Sequence, residues 1–527
     1  MLSRLLLIFR TIRYLKPVQL YYQVWYRIKN KFIRLGNYKK YAGVSLEPVL
    51  KDPLGLIPCE GKYNANGFTF LNLTQRFDNK VDWEFMGHGK LWNYNLQYFD
   101  YLHDPFIAQQ EKITLVESFS EELLSGAISS EPYPVSLRLV NWIIFYSNTG
   151  YHSQNFDRAI ACQVDYLRNN LEFHIQANHL LENYLSLAFS GIALRDDELV
   201  SFARKGLRRE MQRQILADGG HYECSPMYHC ILLSKLLILL EAFRQNGQAE
   251  HTEWLSAGIG DMLGWLEAFC FSDGTWAHLN DATNGIAPSV ITIREIAAAN
   301  GIQPVSKKLK QSGYRKWRVN NMEAIMDVGN IIPAYQPGHA HSDMLHISLQ
   351  YKGKPVLVDT GTSTYQSDSR RASERSTHAH NTVCFRNSNQ SEVWGSFRVG
   401  QRAKVYITEE KENSILAYHT GYEKAGILHY RSFLSNDQSI VITDTIQGRP
   451  VTQSAVAYFH FDHRVEMKLD PVSGFLQTSN GLSMKFDGHD RLEMTTYEQA
   501  LGFNQLQKSN CVRIYFTTSI TTTIEAN

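Results

Sequence analysis

The stretch Pro337-Gly-His-Ala-His-Ser-Asp343 places two histidines and a carboxylate close together in the sequence. His339 and His341 are two positions apart, so they cannot share a helix face but point to the same side of an extended chain. The strand-like run Met344–Tyr351 follows, and His378-Ala-His380 lies further along. Histidine and aspartate side chains carried by β-structure are typical of either a metal site or an acid/base site.

Composition limits the classes of protein that fit. The chain has 527 residues, too many for a single core, which predicts two or three domains. Its net charge of +1 excludes a strong field for nucleic acid, so an anionic ligand must be met by a local groove. The seven cysteines are scattered and form no Cys-x-x-Cys pair, which predicts free thiols and no zinc knuckle.

The N-terminal segment Met1–Arg13 combines a short apolar run with basic residues. It lacks the small-residue cleavage site of a secretion signal and is too short to span a bilayer. Two interpretations remain open: a first helix packed on the protein, or a basic amphipathic helix giving peripheral membrane association. We therefore expect a cytoplasmic or membrane-peripheral location.

The hydrophobic pattern divides the chain into three parts. Residues 1–85 predict a helical arm and a mixed segment. In residues 86–312, apolar positions recur every three or four residues, which predicts successive helical hairpins arranged as an α/α toroid or superhelix. In residues 313–527, short alternating segments separated by Gly, Asn and Asp turns predict an antiparallel β-sandwich. The expected fold is multidomain, α then β.

The helical part contains a polar cluster at Asn178, His179 and Glu182. His179 and Glu182 are three positions apart, so the carboxylate can hydrogen-bond the imidazole and fix its tautomer. An ordinary helix start, with Asn178 as the cap, explains the same residues.

A second cluster runs from Asp218 to His229. Ser225-Pro226 begins a helix with Tyr228 in its first turn, where the positive end of the helix dipole favours a phenolate. Tyr228 is therefore a candidate acid or base, with a core tyrosine as the alternative.

Other polar and aromatic positions predict the lining of a sugar groove. They are Asn93, Tyr94, Arg138, Asn141, Trp142, Trp276 with its neighbours Asn280 and Asp281, and Arg375. In the β half, His341, Asp359 and His380 could hold a zinc-like ion. A hydrogen-bonded network without metal is the alternative.

Several ordered motifs resemble the heparinase II/III family of polysaccharide lyases. They are Asn178-His-Leu-Leu-Glu-Asn183, Asp218-Gly-Gly-His-Tyr-Glu-Cys-Ser-Pro-Met-Tyr-His229, Gly338-His-Ala-His-Ser-Asp343, Val358-Asp-Thr-Gly361 and Arg375-Ser-Thr-His-Ala-His-Asn-Thr-Val383. The resemblance implies an incomplete α/α toroid joined to an antiparallel β-sandwich.

The resemblance also implies β-elimination in a glycan that contains uronic acid. Asn178 and His179 are expected to neutralise the substrate carboxylate, with Glu182 orienting His179. Tyr228 is expected to act in one or both proton-transfer steps as base or acid, and His339 is expected to be the second acid/base group. A uronyl C5-epimerase and a non-catalytic glycan-binding protein of surface polysaccharide biosynthesis are the alternatives.

The family's metal site is matched by His341, Asp359 and His380, which implies a structural divalent ion, with zinc expected. The implied partner is an anionic polysaccharide, either heparin-like or a bacterial capsular or exopolysaccharide. Two departures bear on it: only Asn178 of the family's double amide is present, and Glu223 stands where some relatives carry basic residues.

Overall fold

The computed structural model describes residues 2–33, 35–41, 43–53, 55–64, 67–248, 252–448 and 454–526. Twelve α-helices lie within these ranges. They are α1 (Leu2–Ile12), α2 (Pro17–Phe32), α3 (Lys90–Tyr98), α4 (Gln109–Ser125), α5 (Pro132–Thr149), α6 (Gln154–Asn169), α7 (Ala177–Ala193), α8 (Asp197–Gln214), α9 (Pro226–Gln245), α10 (Glu253–Phe269), α11 (Val290–Ala299) and α12 (Ser369–Glu374).

The β-strands lie mostly in the C-terminal half. They are β1 (Tyr63–Asn64), β2 (Gly67–Phe70), β3 (Leu73–Gln75), β4 (Tyr314–Val319), β5 (Met322–Asp327), β6 (Ile347–Tyr351), β7 (Lys354–Leu357), β8 (Val383–Phe385), β9 (Val393–Trp394), β10 (Arg398–Val399), β11 (Val405–Glu410), β12 (Ser414–His419), β13 (Ile427–Ser435), β14 (Ser439–Gly448), β15 (Ala455–His460), β16 (Met467–Asp470), β17 (Phe475–Thr478), β18 (Leu482–Asp487), β19 (Arg491–Gly502), β20 (Gln505–Phe516) and β21 (Ser519–Ala526).

Helices α3 to α11 form the toroid, in which α7 packs against both α5 and α9. Helix α9 begins where the sequence predicts, because the Ser225 hydroxyl accepts the Tyr228 N–H and Pro226 occupies the first turn. Among the described residues, α9 is the helix long and apolar enough to cross a membrane, and most of it is buried within the protein. The apolar side chains of α9 therefore form part of the core of the toroid.

The sandwich is built from antiparallel sheets. The largest has the strand order β11-β12-β13-β14-β21-β18-β17-β16, and two four-stranded sheets have the orders β19-β20-β15-β8 and β4-β5-β6-β7. Buried and partly exposed residues alternate along β13 and β14, as expected for strands that cover a core with one face. Inward-facing residues of these sheets form one continuous apolar cluster.

The two large domains are joined by a packed interface. Trp265 and Phe269 of α10 stack with ring centroids 4.6 Å apart, and both rings pack against Tyr314 of β4. The Asp218 carboxylate accepts backbone N–H groups of Lys310 and Ser312 at 2.9 and 2.8 Å. The predicted order, a helical toroid followed by an antiparallel β-sandwich, is confirmed.

The segment from Pro337 to His346 is a loop, not a strand. A turn forms where the Ala340 N–H donates to the Pro337 carbonyl at 3.2 Å. His339 keeps 12% of its side chain exposed, whereas His341 is fully buried. The loop therefore separates the environments of the two histidines, which a straight strand would not do.

Candidate active site

A cleft of about 860 Å³ lies between the toroid and the sandwich. Helices α3, α5, α7 and α9 contribute its toroid wall, and loops of the sandwich contribute the other. The predicted catalytic residues Asn178, His179, Tyr228 and His339 all line this cleft. Residues far apart in the sequence are thus brought to one surface.

The start of α7 presents the first two of these residues. Gln176 and Ala177 have φ angles of 65° and 55°, a left-handed conformation that non-glycine residues rarely adopt and that occurs preferentially at functional sites. Asn178 follows, and its Nδ2 donates to Glu223 Oε2 at 2.8 Å. Among the described residues Nδ2 makes no other hydrogen bond, so the amide can donate its second N–H to a ligand.

His179 is oriented by Glu172 and not by Glu182. His179 Nδ1 lies 3.0 Å from Glu172 Oε1, and its ring packs against Tyr133 with centroids 4.2 Å apart. Burial alone would lower the pKa of His179, but the adjacent Glu172 carboxylate raises it above its usual value. Glu182 instead forms an ion pair with Lys235 at 2.5 Å. The expected role of Glu182 is therefore corrected.

Tyr228 lies directly against His339. The two rings are stacked with centroids 4.0 Å apart, and the Tyr228 hydroxyl is 3.3 Å from the hydroxyl of Tyr365. Burial raises the pKa of Tyr228 well above its usual value. The sequence predicted a phenolate favoured by the helix dipole, whereas the raised pKa favours the neutral phenol.

His339 is held by a buried carboxylate, Asp281. His339 Nδ1 lies 2.9 Å from Asp281 Oδ2, and His341 Nε2 lies 2.9 Å from the other oxygen, Asp281 Oδ1. Arg371 donates to both oxygens, at 2.5 and 2.7 Å. Burial alone would raise the pKa of Asp281, but Arg371 and the histidines hold it well below its usual range. Asp281 is therefore an ionised acceptor shared by three donors.

This arrangement fixes the tautomer of His339. Because the ionised Asp281 accepts from Nδ1, the neutral ring carries its proton there and leaves a lone pair on Nε2. Nε2 is 3.9 Å from Glu223 Oε1, within the wall of the cleft. His339 can therefore accept a proton from a bound molecule.

A candidate metal centre lies behind this loop. Among the described residues, ligand atoms of His346, Asp359 and His380 lie within 4.8 Å of one another. His380 Nδ1 is 2.8 Å from Asp359 Oδ2. The sequence predicted His341 in place of His346. The cluster therefore differs from that prediction by one histidine, and His341 uses its Nε2 to contact Asp281.

Hydrogen bonding tests whether these side chains fit an ion. Both ring nitrogens of His346 have partners, the Asn381 N–H at 3.0 Å and the Ser348 hydroxyl at 2.9 Å. His380 Nε2 and His341 Nδ1 are buried without a partner among the described residues. The short distances to Asp359 and His380 thus favour His346 as the third ligand, whereas the unpaired Nδ1 favours His341. Imidazole and carboxylate donors of this kind suit zinc or a similar divalent ion.

Two of the predicted sugar-binding residues line the cleft. Tyr94 projects from α3, and its hydroxyl contacts Glu131 at 2.5 Å. Asn141 projects from α5, where its amide contacts the Tyr98 carbonyl at 2.8 Å and His103 at 3.0 Å.

The other predicted sugar-binding residues are outside the described lining of the cleft. Asn93 donates to the Trp83 carbonyl, and Trp142 is fully buried between aromatic rings. Trp276 packs at the edge of the toroid core.

The two predicted sugar-binding arginines are also structural. Arg138 is fully buried and bonds to Gln163 and to the Gln97 carbonyl, and Arg375 donates to backbone carbonyls of the sandwich loops. Helical spacing predicts which face these side chains share but does not distinguish a core face from a ligand face.

Several site residues were missed by the sequence analysis. The positioning roles of Glu172, Asp281 and Arg371, and the contact of Tyr365 with Tyr228, depend on contacts between distant segments. The one signal in the sequence is the polar run around Asp281, which was interpreted as part of a sugar groove. Its role follows from contacts with the sandwich.

Replacing Glu172 with Gln is expected to lower the pKa of His179, because the substitution removes the charge that stabilises the imidazolium. The imidazole proton resonances of His179, followed by NMR across pH, measure this directly. Because the folded-state pKa is raised, the ion pair stabilises the fold below the usual histidine pKa, and this contribution disappears as pH rises through the raised value.

Glu182→Gln is the matched control for that experiment, since Glu182 is paired with Lys235. It should shift the pKa of His179 much less. Equal shifts of the His179 pKa in the two variants would show that Glu182 orients His179 as strongly as Glu172 does.

Metal content of histidine variants is expected to identify the ligands. His380→Ala should retain less divalent metal than the unchanged protein and unfold at a lower temperature, because metal binding at this cluster would contribute to folding free energy. His341→Ala should lose more metal than His346→Ala, because His341 Nδ1 is the donor without another partner. Elemental analysis after dialysis measures this. Full metal content in His380→Ala would eliminate the site.

Two family descriptions match adjoining parts of the chain. "Heparinase II/III N-terminus" matches residues 148–310, and "Heparinase II/III-like, C-terminal" matches residues 302–525. The crystal structure of a heparinase III has a TM-score of 0.70 at 15% identity, covering 97% of this chain and 92% of that one. A heparan sulfate lyase mutant from Pedobacter heparinus has a TM-score of 0.59 at 17% identity, covering 95% and 87%.

Similarity to curated proteins is more local. A heparin-sulfate lyase of Pedobacter heparinus is 23% identical over 324 residues, which are 54% of this chain and 46% of that protein. FtsZ-localized protein C of Caulobacter vibrioides is 29% identical over 166 residues, 31% of this chain and 28% of that protein. The chain therefore spans less than half the length of these relatives. Since the two family descriptions together cover residues 148–525, which include much of the toroid and nearly all of the sandwich, the chain belongs to the heparinase II/III family.

Proposed function

We propose that this protein is a polysaccharide lyase that cleaves glycans containing uronic acid by β-elimination. The observation that carries the proposal is the stack of Tyr228 on His339, with His339 held by Asp281 at the wall of a large cleft. Family membership supports it, as does similarity to relatives named as heparin-sulfate lyases.

The reaction begins with neutralisation of the uronate carboxylate. The C5 proton is weakly acidic until donors stabilise the charge that develops on the adjacent carboxylate. Asn178 offers an amide N–H, and His179 offers an imidazolium favoured by Glu172. Both residues stand at the start of α7 on the cleft surface.

Proton transfer then uses the stacked pair. His339 Nε2 removes the C5 proton, the C–H electrons form the C4–C5 double bond, and the C4–O4 bond breaks. Tyr228 donates its phenolic proton to the departing O4, a role that suits a group whose raised pKa keeps it protonated. Since C4 and C5 are adjacent carbons, an acid and a base in ring contact match the geometry that the reaction requires.

His380 and Asp359, with His341 or His346, would hold a structural ion. Such an ion would cross-link the loop that carries His339 to the strands behind it. The proton transfers use the protein's own side chains.

The charges of the cleft favour a substrate with little sulfate. Its described lining includes three lysines, each paired with a carboxylate: Lys62 with Asp100, Lys90 with Glu131 and Lys235 with Glu182. That lining contains no arginine, the residue best suited to bind sulfate-like anions in a bidentate manner. An unsulfated uronate polysaccharide, of the capsular or exopolysaccharide kind, therefore fits better than heparin.

A substrate screen tests this proposal. Incubation with unsulfated uronate polysaccharides should generate ultraviolet absorbance from the new C4–C5 double bond, and heavily sulfated heparin should react more slowly. Tyr228→Phe and His339→Ala should each reduce turnover by at least about a hundredfold, because each removes a proton-transfer group.

Tyr406→Phe is the matched control, because Tyr406 is exposed on β11 of the sandwich and lies outside the described lining of the cleft. It should retain most of the turnover. Near-normal rates in Tyr228→Phe or His339→Ala would refute the assignment of roles. Inversion at C5 without an unsaturated product would identify an epimerase instead. Heparin as the best substrate would refute the inference that the charges of the cleft favour an unsulfated glycan.

A further inference from the structure

The N-terminal helices expose an apolar face. In α2, large side chains at helical spacing point to solvent: Tyr21 is 61% exposed, Val24 57%, Ile28 52% and Phe32 75%. In α1, Phe9 is 66% exposed and lies beside the exposed Leu5, Leu6 and Ile12. We call these exposed apolar residues of α1 and α2 the outward face of the arm.

This face has the opposite polarity to that of an ordinary surface helix. Such a helix buries its apolar stripe and exposes its polar side. In the described part of α2, the buried residues are Gln19 and Tyr26, whereas the exposed stripe is apolar. Contiguous exposed apolar surface of this kind marks an interaction site.

The arm is firmly attached to both domains. The Tyr26 hydroxyl donates to the Leu171 carbonyl of the toroid at 2.5 Å. Arg10 forms an ion pair with Glu392 of the sandwich at 2.8 Å, and Trp394 Nε1 donates to Thr11 at 3.1 Å. The outward face is therefore presented by the body of the protein in a fixed orientation.

The charge of the arm indicates what covers this face. Residues 1–46 contain ten basic residues and no acidic residue. All 52 acidic residues and the other 43 basic residues lie from Glu47 onward. Arg27 and Lys31 are exposed beside the apolar stripe of α2, and neither has an acidic partner among the described residues. The arm is thus cationic on a chain whose remainder is acidic.

We propose that the outward face of α1 and α2 binds the surface of a bilayer containing anionic phospholipids. Apolar side chains flanked by basic residues fit the boundary between acyl chains and anionic headgroups. A second copy of the chain fits less well, because two arms would bring like charges together. The contact would hold the protein at the membrane surface, with the arm lying on the bilayer and not crossing it.

Vesicle flotation tests the proposal with the full chain and no substrate. The protein should float with vesicles of equal parts phosphatidylglycerol and phosphatidylcholine, and float poorly with phosphatidylcholine alone. Phe9→Ser with Phe32→Ser should weaken binding by at least about tenfold, because apolar burial is lost. Arg27→Gln and Lys31→Gln should each weaken it about fivefold, and added salt should weaken it further.

Phe106→Ser is the matched control, because Phe106 is 88% exposed and lies outside the arm. It should bind vesicles as the unchanged protein does. Equal flotation with both vesicle types, or unchanged binding by the arm variants, would overturn the proposal. So would a dimer that dissociates in the Phe9→Ser, Phe32→Ser variant, because a second copy would then cover the face. Turnover of soluble polysaccharide is measured in a separate assay, so the proposals of lipid binding and of lyase activity are tested independently.

Discussion

The site depends on one buried carboxylate, Asp281, which belongs to the toroid side of the chain. It accepts hydrogen bonds from His339, His341 and Arg371, all from the sandwich side. An unpaired buried carboxylate would be costly, so the two domains are held in the one arrangement that satisfies it. That arrangement also sets the tautomer of His339 and brings its ring against Tyr228.

The rest of the cleft follows from this docking. The start of α7 supplies Asn178 and His179, α9 supplies Tyr228, and the loop before β6 supplies His339. Each element is positioned by ordinary folding chemistry, including the Ser225 cap of α9 and the left-handed backbone before Asn178. Binding groups and proton-transfer groups therefore occupy one surface although they come from separate domains.

Periodicity in the sequence predicted the architecture, and the family resemblance supplied the four residues proposed to act on the substrate. Helical and alternating periodicity predicted the domain order, whereas the role expected of His339 followed from the resemblance of its motif to the family. Predictions that required partners across the fold were less reliable. Glu182 has suitable spacing to orient His179, yet Glu172 from the preceding loop does so, and Arg138 has suitable chemistry for a sugar but is buried in the toroid. Spacing along one helix carries no information about which neighbour packs against it.

Nitrogen NMR of His339 is the most direct test of the central claim that Asp281 fixes this histidine as the base of the cleft. At a pH where the ring is neutral, we expect a protonated Nδ1 and an unprotonated Nε2. A neutral ring protonated at Nε2 would have no lone pair available to the C5 proton and would contradict the account.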